Sequence, residues 1–443
     1  MNNLLATIKA QAQDLTGELA ALRRDFHQHP ELSHQEERTA RVVADYLRDL
    51  GLTLSHQEER TARVVADYLR DLGLTVSTGI AGHGVVADLE GARPGRCVAY
   101  RADMDALPIL EKVQVPWRST VEGVMHACGH DFHLSIALAA AKLLSRLRDR
   151  LAGQFRFIFQ PAEERPAPDG LSGARAMVEA GVLQDDPPVA AILALHVAPN
   201  LEAGLIRYGS EVVMAGADRV TLTITGKSAH GATPHRGIDP ILISALVLNH
   251  IQAFLAQQID PRSPKVLTFG RIAGGNRFNI LADEVTLVGS LRYQQETTRT
   301  EILNGLRRVL EGLSQATGAR ITLSAGAAYP ILKNDPYLSR QAVAVLETLL
   351  SPRPLKPLRP AMGSEDFAFF AAKVPGFYFF LGVRPPGGRG GQALHSPDFN
   401  PDEAALPWGL TAAAGLLACL AEPEFPALAA AGPVARKDEP GVK

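Results

Sequence analysis

The sequence is poor in cysteine, in net charge and in long apolar runs, and each shortage excludes a class of protein. Its three cysteines, at positions 97, 128 and 419, are too widely spaced for a disulfide framework, which favours a reducing cytoplasm. A formal net charge of −2 gives no basic surface for nucleic acid or for an anionic membrane. The first ten residues lack the apolar core of a signal peptide. We also expect no apolar run that reaches the roughly 18 residues needed for a membrane helix. We therefore predict a cytoplasmic protein without a nucleic-acid or membrane partner.

Length and composition predict a soluble protein with two domains. A chain of 443 residues is too long for one hydrophobic core of ordinary size. Hydrophobic residues make up 46% of the chain and charged residues 21%, which is typical of soluble globular proteins. A boundary between two domains is therefore expected within the chain.

The stretch Met125–His133, with the sequence MHACGHDFH, concentrates metal-binding side chains. Cys128 and His130 are separated by Gly129, which permits the backbone bend that lets both side chains converge on one point. A thiolate and a neutral imidazole are good ligands for zinc and for other late divalent metals. An apolar run follows at once and predicts that the stretch is a loop entering a helix. For a Cys-x-His pair on its own, a buried structural cluster is the alternative.

Residues 32–53 recur letter for letter at residues 54–75. This perfect tandem repeat differs from a solenoid, which needs three or more diverged units. Each copy has the pattern of one capped helix, with a serine and a glutamate before an apolar face and a glycine at its end. A domain core has room for one such helix, so the other copy must lie on the surface, pack elsewhere or extend its neighbour. The repeat is typical of a recent or engineered duplication, and the sequence does not identify the copy in the core position.

Short apolar strands alternate with helices from Val76 onward, which predicts an α/β domain with a mostly parallel central sheet between helices. Candidate ligands stand at the carboxyl ends of three of these strands: Asp103 with Asp105, Glu163 with Glu164, and His196. Functional sites of open α/β sheets are built at that edge. We therefore expect these residues and the Cys128 loop to form one site.

The pattern changes near residue 213 and then follows a β-α-β-β-α-β order, which predicts an inserted ferredoxin-like α+β domain. The predicted boundaries are 1–212 and 329–425 for the discontinuous first domain and 213–328 for the insertion. Residues 426–443 are rich in alanine and proline and are predicted to be a disordered tail.

Seven motifs spread over about residues 20–420 resemble those of one enzyme family. They are Phe26 to Leu32, Arg101 to Pro108, Met125 to His133, Gln160 to Glu164, Ser228 to His230, Gly363 to Phe367 and His395 to Pro397. Together they resemble the M20 family of metallopeptidases and amidohydrolases, in the branch of aminoacylases, hippurate hydrolases and plant auxin-conjugate hydrolases. The chain departs from the family in its repeat, because the resemblance implies one copy of that helix.

The resemblance implies a binuclear site of two divalent metal ions per subunit in the first, catalytic domain. The implied ligands are Cys128, His130, Glu164, His196 and His395, with Cys128 in a bridging position. Glu163 would be the general base and Asp105 an orienting acid behind the metals. His230, on an inserted domain that serves as lid and dimerisation domain, would reach the site of the other subunit. Zinc, manganese and cobalt remain open as the metal.

The implied reaction is hydrolysis of the amide bond of an N-acyl amino acid by a homodimer, with a homotetramer as the alternative. A water between two cations ionises near neutral pH, a free carboxylate takes its proton, and His230 is a candidate donor to the oxyanion. Asn279 and Arg292 are candidates for binding a substrate carboxylate, with plain surface roles as the alternative. Other substrates within the family remain open, namely those of a dipeptidase, a carboxypeptidase or an N-acetyl-diaminopimelate-type deacetylase. A binding protein whose catalysis is impaired by the duplicated helix is also an alternative.

Overall fold

A computed structural model describes residues 1–50, 53–54, 74–167, 170–385, 387 and 393–424. The predicted disordered tail and most of the second copy of the repeat lie outside the described residues. The α-helices are α1 (Asn2–Asp14), α2 (Thr16–Gln28), α3 (Glu37–Asp49), α4 (His130–Arg146), α5 (Gly173–Glu179), α6 (Pro240–Gln258), α7 (Glu296–Thr317), α8 (Pro336–Leu350), α9 (Ala368–Ala371) and α10 (Leu406–Leu420). Short 3₁₀ turns cover Arg148–Arg150, Pro234–Arg236 and Glu403–Ala405.

The strands are β1 (Thr53–Leu54), β2 (Leu74–Ile80), β3 (Gly84–Glu90), β4 (Arg93–Asp103), β5 (Ala152–Gln160), β6 (Val189–Glu202), β7 (Ile206–Tyr208), β8 (Val212–Met214), β9 (Gly216–Thr225), β10 (Lys265–Gly274), β11 (Glu284–Tyr293), β12 (Arg320–Tyr329), β13 (Leu332–Lys333), β14 (Lys356–Pro357) and β15 (Gly376–Arg384). The chain divides into two units. The first comprises Met1–Glu211, Lys333–Arg359 and Phe369–Lys443, and the second Val212–Leu332 and Pro360–Ala368.

The first unit is built on one sheet with the strand order β1-β2-β3-β5-β4-β6-β15-β7-β14. Its centre is parallel, since β4 pairs in parallel with both β5 and β6, and β6 with β15. These strands are buried along most of their length, as expected for a parallel sheet that is covered on both faces. Helix α4 is apolar on nearly all sides because it packs between β4 and the helices α2 and α10. The predicted α/β class with a largely parallel sheet is confirmed.

The register of the central strands brings three polar residues to one level. Asp103 at the end of β4 pairs with Gln160 at the end of β5. On the other side of β4, Arg101 pairs with Ala194, which places His196 of β6 level with Asp103. His196 lies inside β6 rather than at its end, because β6 continues to Glu202. The neighbouring strands end here, so the side chains that follow them gather around His196.

The first copy of the repeat occupies the core position. Its helix, α3, buries Val43 and Leu47 completely in the core of the first unit. The predicted Ser-x-x-Glu capping box is wrong for this copy. The amides of Arg38 and Thr39 at the start of α3 donate to the carboxylate of Glu31, at 2.9 and 2.7 Å, so the helix takes its cap from a residue just before the repeat.

The end of the first copy forms an edge strand of the sheet. β1 pairs in parallel with β2, and Thr53 lies opposite Thr75. The two threonines are the last residues of the two copies, so equivalent positions of the repeat face each other across this pair.

The second unit has the predicted ferredoxin-like arrangement. Its four-stranded sheet has the order β10-β11-β9-β12 with antiparallel neighbours throughout. Helices α6 and α7 cover one face and share a core with the strands, which includes Val220, Leu287 and Leu306. Residues 360–368 also belong to this unit, where the backbone of Ala361 pairs with Val213 and Ala215.

Two sequence expectations differ from the described structure. The helical spacing of apolar residues over residues 3–24 predicts one helix that ends at His27, His29 and Pro30. Instead, the helix breaks at Leu15, and α2 continues to Gln28 with His27 buried in its last turn. Two helical stretches, Pro240–Gln258 and Glu403–Leu420, are long and apolar enough to cross a membrane by length and composition alone. The second is buried in the first unit, and core helices commonly pass such a test.

Candidate metal centre and active site

Five predicted ligands of the first unit converge at the carboxyl edge of its sheet. Sγ of Cys128 lies 3.4 Å from Nε2 of His196 and 3.4 Å from Nε2 of His395. Oε1 of Glu164 lies 3.8 Å from Nε2 of His130 and 3.4 Å from Nε2 of His395. Ligand atoms that surround one cation at 2.0–2.3 Å are separated by about these distances. The cluster has the dimensions of a metal centre, with Cys128 between two histidines.

Two ligand atoms in this cluster are buried without a hydrogen-bond partner among the described residues: Nε2 of His130 and Oε1 of Glu164. Leaving buried polar atoms unpaired costs free energy, so native structures rarely do so without a ligand or ion nearby. The thiol, imidazole and carboxylate around them form the ligand set that suits zinc and related divalent metals. The residues present therefore fit a bound metal.

Hydrogen bonds at the far side of each ring orient the ligand histidines. Nδ1 of His130 lies 2.8 Å from the backbone oxygen of Asp105, and Nδ1 of His196 lies 2.9 Å from that of Val197. A carbonyl accepts only from a protonated nitrogen, so Nδ1 carries a proton in both rings, and Nε2 of each ring faces the cluster. The backbone thus selects the tautomer that metal binding requires.

Gly129 is required by the geometry of the ligand loop. Its φ of +87° lies in the left-handed region, and a Cβ at this position would lie 2.4 Å from Cγ2 of Val197. The glycine lets Cys128 precede α4 while His130 begins the helix. The predicted need for a backbone bend between the two ligands is met in this way.

The charges around the cluster favour cations. Burial and the nearby carboxylates of Glu164 and Glu163 raise the pKa of the Cys128 thiol well above its usual value. Burial alone would lower the pKa of His130, but Asp103, Asp105 and Glu164 raise it to about 10. Negative charge thus accumulates where ligand atoms converge, and a divalent cation would reverse both effects.

His395 closes the cluster from its solvent-exposed side. Its φ of +62° is unusual for a residue with a side chain, and its N–H donates to the backbone oxygen of Ala127 at 2.9 Å. The carboxylate of Glu164 raises the pKa of its ring. The strained backbone aims His395 at Cys128 and Glu164, which lie far away in the sequence.

Asp105 organises the loop of the two glutamates. Its carboxylate accepts from the N–H of Glu163 at 3.2 Å and from that of Glu164 at 3.0 Å, and its Oδ1 lies 3.4 Å from Nδ1 of His130. The side chain of Glu163 is only partly buried, which leaves it room to face a substrate. The predicted orienting acid therefore contacts the loop of the predicted base as well as a ligand.

Sequence reasoning missed a buried chain behind the ligands. The Nδ1–H of His133 donates to Asp103 at 2.6 Å, and its Nε2 accepts from the N–H of Val197 at 3.1 Å. Asp103 also accepts from Arg101 at 2.6 Å. His133 therefore joins two strands of the sheet beside His196. The alternation of polar residues at the end of β4 is the sequence feature that could have indicated this network.

A second buried network lies at the start of α4. Asp131 accepts from Nε of Arg23 at 2.9 Å and lies 2.8 Å from Nδ1 of His27, whose Nε2 lies 3.2 Å from Glu111. The guanidinium of Arg23 and the hydrogen bond from His27 hold the pKa of the buried Asp131 well below its usual range. The spacing of His27 and His29 before Pro30 predicts a structural turn, with metal binding as the alternative, whereas the structure shows that His27 anchors α2 to α4.

In the second unit, His230 and Asn279 lie together on exposed loops. The N–H of Gly231 donates to the backbone oxygen of Asn279 at 2.8 Å, and His230 pairs with Ile280. Nδ1 of His230 accepts from the N–H of Ala232 at 3.1 Å, so its Nε2 carries the proton. The ring therefore presents one N–H donor to solvent.

Arg292 lies at the other end of the same sheet. Asn279 precedes the start of β11 at Glu284, whereas Arg292 is near its end. The eight residue steps from Glu284 to Arg292 span about 26 Å in an extended strand. Nη1 of Arg292 donates to the backbone oxygen of Met362 at 3.0 Å and lies 3.3 Å from Oγ of Ser364. Asn279 and Arg292 of one subunit therefore cannot bind the same carboxylate.

The chain is similar to known enzymes over nearly its whole length. The sequence model of the family described as Peptidase family M20/M25/M40 matches residues 99–418 of this chain. Thermostable carboxypeptidase 2 of Saccharolobus solfataricus is 34% identical over 411 residues, which cover 93% of this chain and 97% of that protein. N-acetylcysteine deacetylase of Bacillus subtilis is 34% identical over 388 residues, 88% of this chain and 93% of that protein.

A solved structure supports the same relationship. The Bacillus subtilis YxeP protein, described as a dinuclear metal-binding peptidase of the M20 family, is 31% identical with a TM-score of 0.75 and covers 93% of this chain and 99% of its own. The family match, these identities and the converging ligands agree. The chain belongs to the peptidase family M20/M25/M40 and is a metal-dependent hydrolase.

Proposed function

We propose that the protein hydrolyses the amide bond of N-acyl amino acids and releases a carboxylic acid and an amino acid. Two divalent ions, held by Cys128 and the other four predicted ligands, would supply Lewis acidity that lowers the pKa of water and polarises the scissile carbonyl. The main observation behind the proposal is that Nε2 of His130 and Oε1 of Glu164 are buried without a hydrogen-bond partner, beside the partly buried Glu163. The similarity to an N-acetylcysteine deacetylase favours an N-acyl substrate.

Glu163 is the general base in this proposal. It follows the sharp bend at Ala162 and is held by its own amide to Asp105, so its carboxylate does not have to be a ligand. A carboxylate in this place takes a proton from the attacking water and returns it to the leaving nitrogen. The adjacent Glu164 has its oxygen in the ligand cluster, which explains why two glutamates stand side by side.

His230, Asn279 and Arg292 would bind the substrate from two subunits. The Nε2–H of His230 would donate to the oxyanion, as predicted. Because Asn279 lies beside His230 and Arg292 lies about 26 Å along the strand, we infer that Arg292 and the pair His230 and Asn279 serve different active sites of the dimer. The planar fork of Arg292 suits the carboxylate of the amino acid product.

This assignment requires the predicted homodimer. In the second unit, α6 exposes Leu242 to 63% and Ile241 to 50%, and the edge strand β10 exposes Ile272 to 57%. Exposed apolar side chains on a helix beside an unpaired strand edge are typical of a surface that a second copy of the chain covers. We propose a dimer through this surface, in a cytoplasmic enzyme.

The dimer is tested by Leu242→Asp, with Glu311→Gln on the exposed part of α7 as a control for a surface change of charge. Light scattering after gel filtration should give a dimer for the wild-type protein and the control, and a monomer for Leu242→Asp. A dimer that survives the substitution would place the interface elsewhere.

The reaction is tested with hippurate, N-acetyl-methionine and N-acetylcysteine as substrates, after chelation and then after restoring zinc, manganese or cobalt. We expect metal-dependent release of the free amino acid, and a loss of about 10³-fold in kcat for Glu163→Gln. Peptides with a free carboxyl terminus test the carboxypeptidase alternative. Faster cleavage of such peptides than of every N-acyl amino acid would overturn the proposed substrate class.

A further inference from the structure

The first copy of the repeat reaches the loop of the proposed base. The carboxyl of Glu36 is fully buried, and its Oε1 accepts from the N–H of Ala162 at 2.8 Å. Ala162 has a φ of +51°, in the left-handed region that side chains disfavour. A strained, buried peptide needs a partner to keep its conformation, and the residue that follows it is Glu163.

A second contact from the same copy reaches the same loop. Oγ of Ser33 donates to Oδ2 of Asp105 at 2.6 Å. The carboxylate of Asp105 in turn accepts from the amides of Glu163 and Glu164. The backbone N–H of residue 162 therefore donates to the carboxylate of Glu36. The N–H groups of residues 163 and 164 donate to the carboxylate of Asp105, which Ser33 orients.

We propose that Glu36 and Ser33 are positioning residues for Glu163, and that the first copy of the repeat performs this role alone. The proposal rests on the function assigned to Glu163 above. Glu36 holds the bent peptide before the base, and Ser33 holds the carboxylate that orients the base and its neighbour. Neither residue contacts the substrate.

The repeat provides a duplicate of both residues. Ser55 and Glu58 stand in the second copy with the same neighbours on either side as Ser33 and Glu36. The position that faces Ala162 is filled by Glu36, and it admits one glutamate.

The residue before each copy explains the choice. Glu31 caps α3 through two backbone amides, whereas the second copy is preceded by Thr53, which has no carboxylate to offer. The cap that Glu31 provides in the structure therefore favours the first copy in the core position.

The test compares Glu36→Met with Glu58→Met, which is the same substitution in the same local sequence. Methionine keeps the length of the side chain but cannot accept a hydrogen bond. Glu36→Met should lower kcat about 10- to 100-fold, because a small displacement of a catalytic group has this effect. KM and the bound metal content should stay near wild-type values. Glu58→Met should behave like the wild-type enzyme.

A third variant separates positioning from packing. Glu36→Gln keeps an oxygen that can accept from Ala162, so it should restore most of the kcat that Glu36→Met loses. Equal losses in Glu36→Met and Glu58→Met, or no loss in either, would overturn the proposal. If Glu36→Met does not fold, Ser33→Ala and Ser55→Ala replace the pair, and a loss confined to Ser33→Ala is expected.

Hydrogen exchange keeps this inference separate from the proposed reaction. In Glu36→Met, the peptide that contains residues 160–165 should exchange its amides faster than in Glu58→Met. A wild-type protein inactive on every N-acyl amino acid would reject the reaction alone. Unchanged exchange in Glu36→Met would reject the positioning role, whatever the substrate.

Discussion

The two units hold their polar residues in opposite ways. In the first, His130 and Asp105 are each about 1% exposed and bound to one another and to the backbone. In the second, His230 and Asn279 are exposed on loops joined by backbone hydrogen bonds. A buried cluster has its geometry set before any ligand arrives, at the cost of desolvation. Exposed donors cost little to maintain but act only on a group brought to them. The first unit therefore has a preorganised cluster that fits a metal, whereas the second presents donors at its own surface.

The comparison is tested most strongly at His230. His230→Ala should lower kcat by about 10²- to 10³-fold, the usual effect of losing one oxyanion donor. If His230 serves the partner, unfolding and refolding this variant together with Glu163→Gln at equal amounts should recover activity. Half of the dimers would be mixed and each would contain one complete site, so about a quarter of the wild-type activity is expected.

Two results would contradict this assignment. The mixture could remain as inactive as its two components, which would place His230 in the site of its own subunit. Alternatively, His230→Ala alone could keep full activity. As a matched control, His83→Ala changes a partly buried histidine in the turn between β2 and β3 of the first unit and should keep wild-type activity in both arrangements.

The buried cluster should bind metal more tightly as the pH rises. In the metal-free protein the pKa of His130 is raised to about 10 and that of Cys128 lies above its usual value, so both are protonated at neutral pH. Binding releases these protons, and the affinity should increase about tenfold per pH unit for each. Competition with a chromophoric chelator at pH 6, 7 and 8 measures this slope. Cys128→Ser should reduce it by about one proton, and a flat profile in the wild-type protein would contradict the expectation.

Glu36 should make the stability of the first unit depend on pH. Burial and the charge of Asp105 raise its pKa from 4.5 to about 7. The folded state therefore holds this proton more tightly, and the corresponding stability is lost as the pH rises from about 4.5 to 7. Glu36→Gln does not titrate, so its free energy of unfolding relative to the wild type should rise by up to about 3 kcal/mol over this range.

Denaturant titrations of both proteins at pH 4.5, 6 and 8, with a chelator present, measure this difference. Glu58→Gln provides the control and should remain parallel to the wild type at each pH. A constant difference between Glu36→Gln and the wild type would mean that Glu36 does not titrate in this range.

Deletion of residues 54–75 should have the smallest effect. The deletion joins Thr53 to Val76, and Thr75 already precedes Val76, so the sequence at the junction is unchanged. It removes Leu54 of β1 and the first two residues of β2, together with the long connection between these strands, so the pair of β1 and β2 is lost. We expect a folded enzyme that is as stable as the parent or more stable by about 1 kcal/mol, since loop closure costs less. Thermal unfolding measures this, and loss of soluble protein would show that the second copy contributes to the fold.

Much of both units was predictable because the signals are local. The apolar strands and α4 follow from runs of residues that can only be buried, and the β-α-β-β-α-β order follows from periodicity within each element. The predicted capping box of the repeat is wrong because it, too, rests on a local pattern. A Ser-x-x-Glu pattern describes a helix start, but Ser33 and Glu36 find stronger acceptors and donors in a loop distant in sequence. Local patterns do not reveal such partners.

The sequence by itself determined which residue types could form the site and on which kinds of element they stand, since ligand chemistry and hydrophobic periodicity are properties of short stretches. Only the tertiary structure decided which histidine nitrogen faces the cluster at His130 and His196, because the carbonyl of Asp105 makes that choice at His130 and the carbonyl of the adjacent Val197 makes it at His196. It also decided between two identical copies of a helix. Their sequences are the same, so the difference arises from Glu31, which is adjacent to one copy, and from a buried position that holds one glutamate.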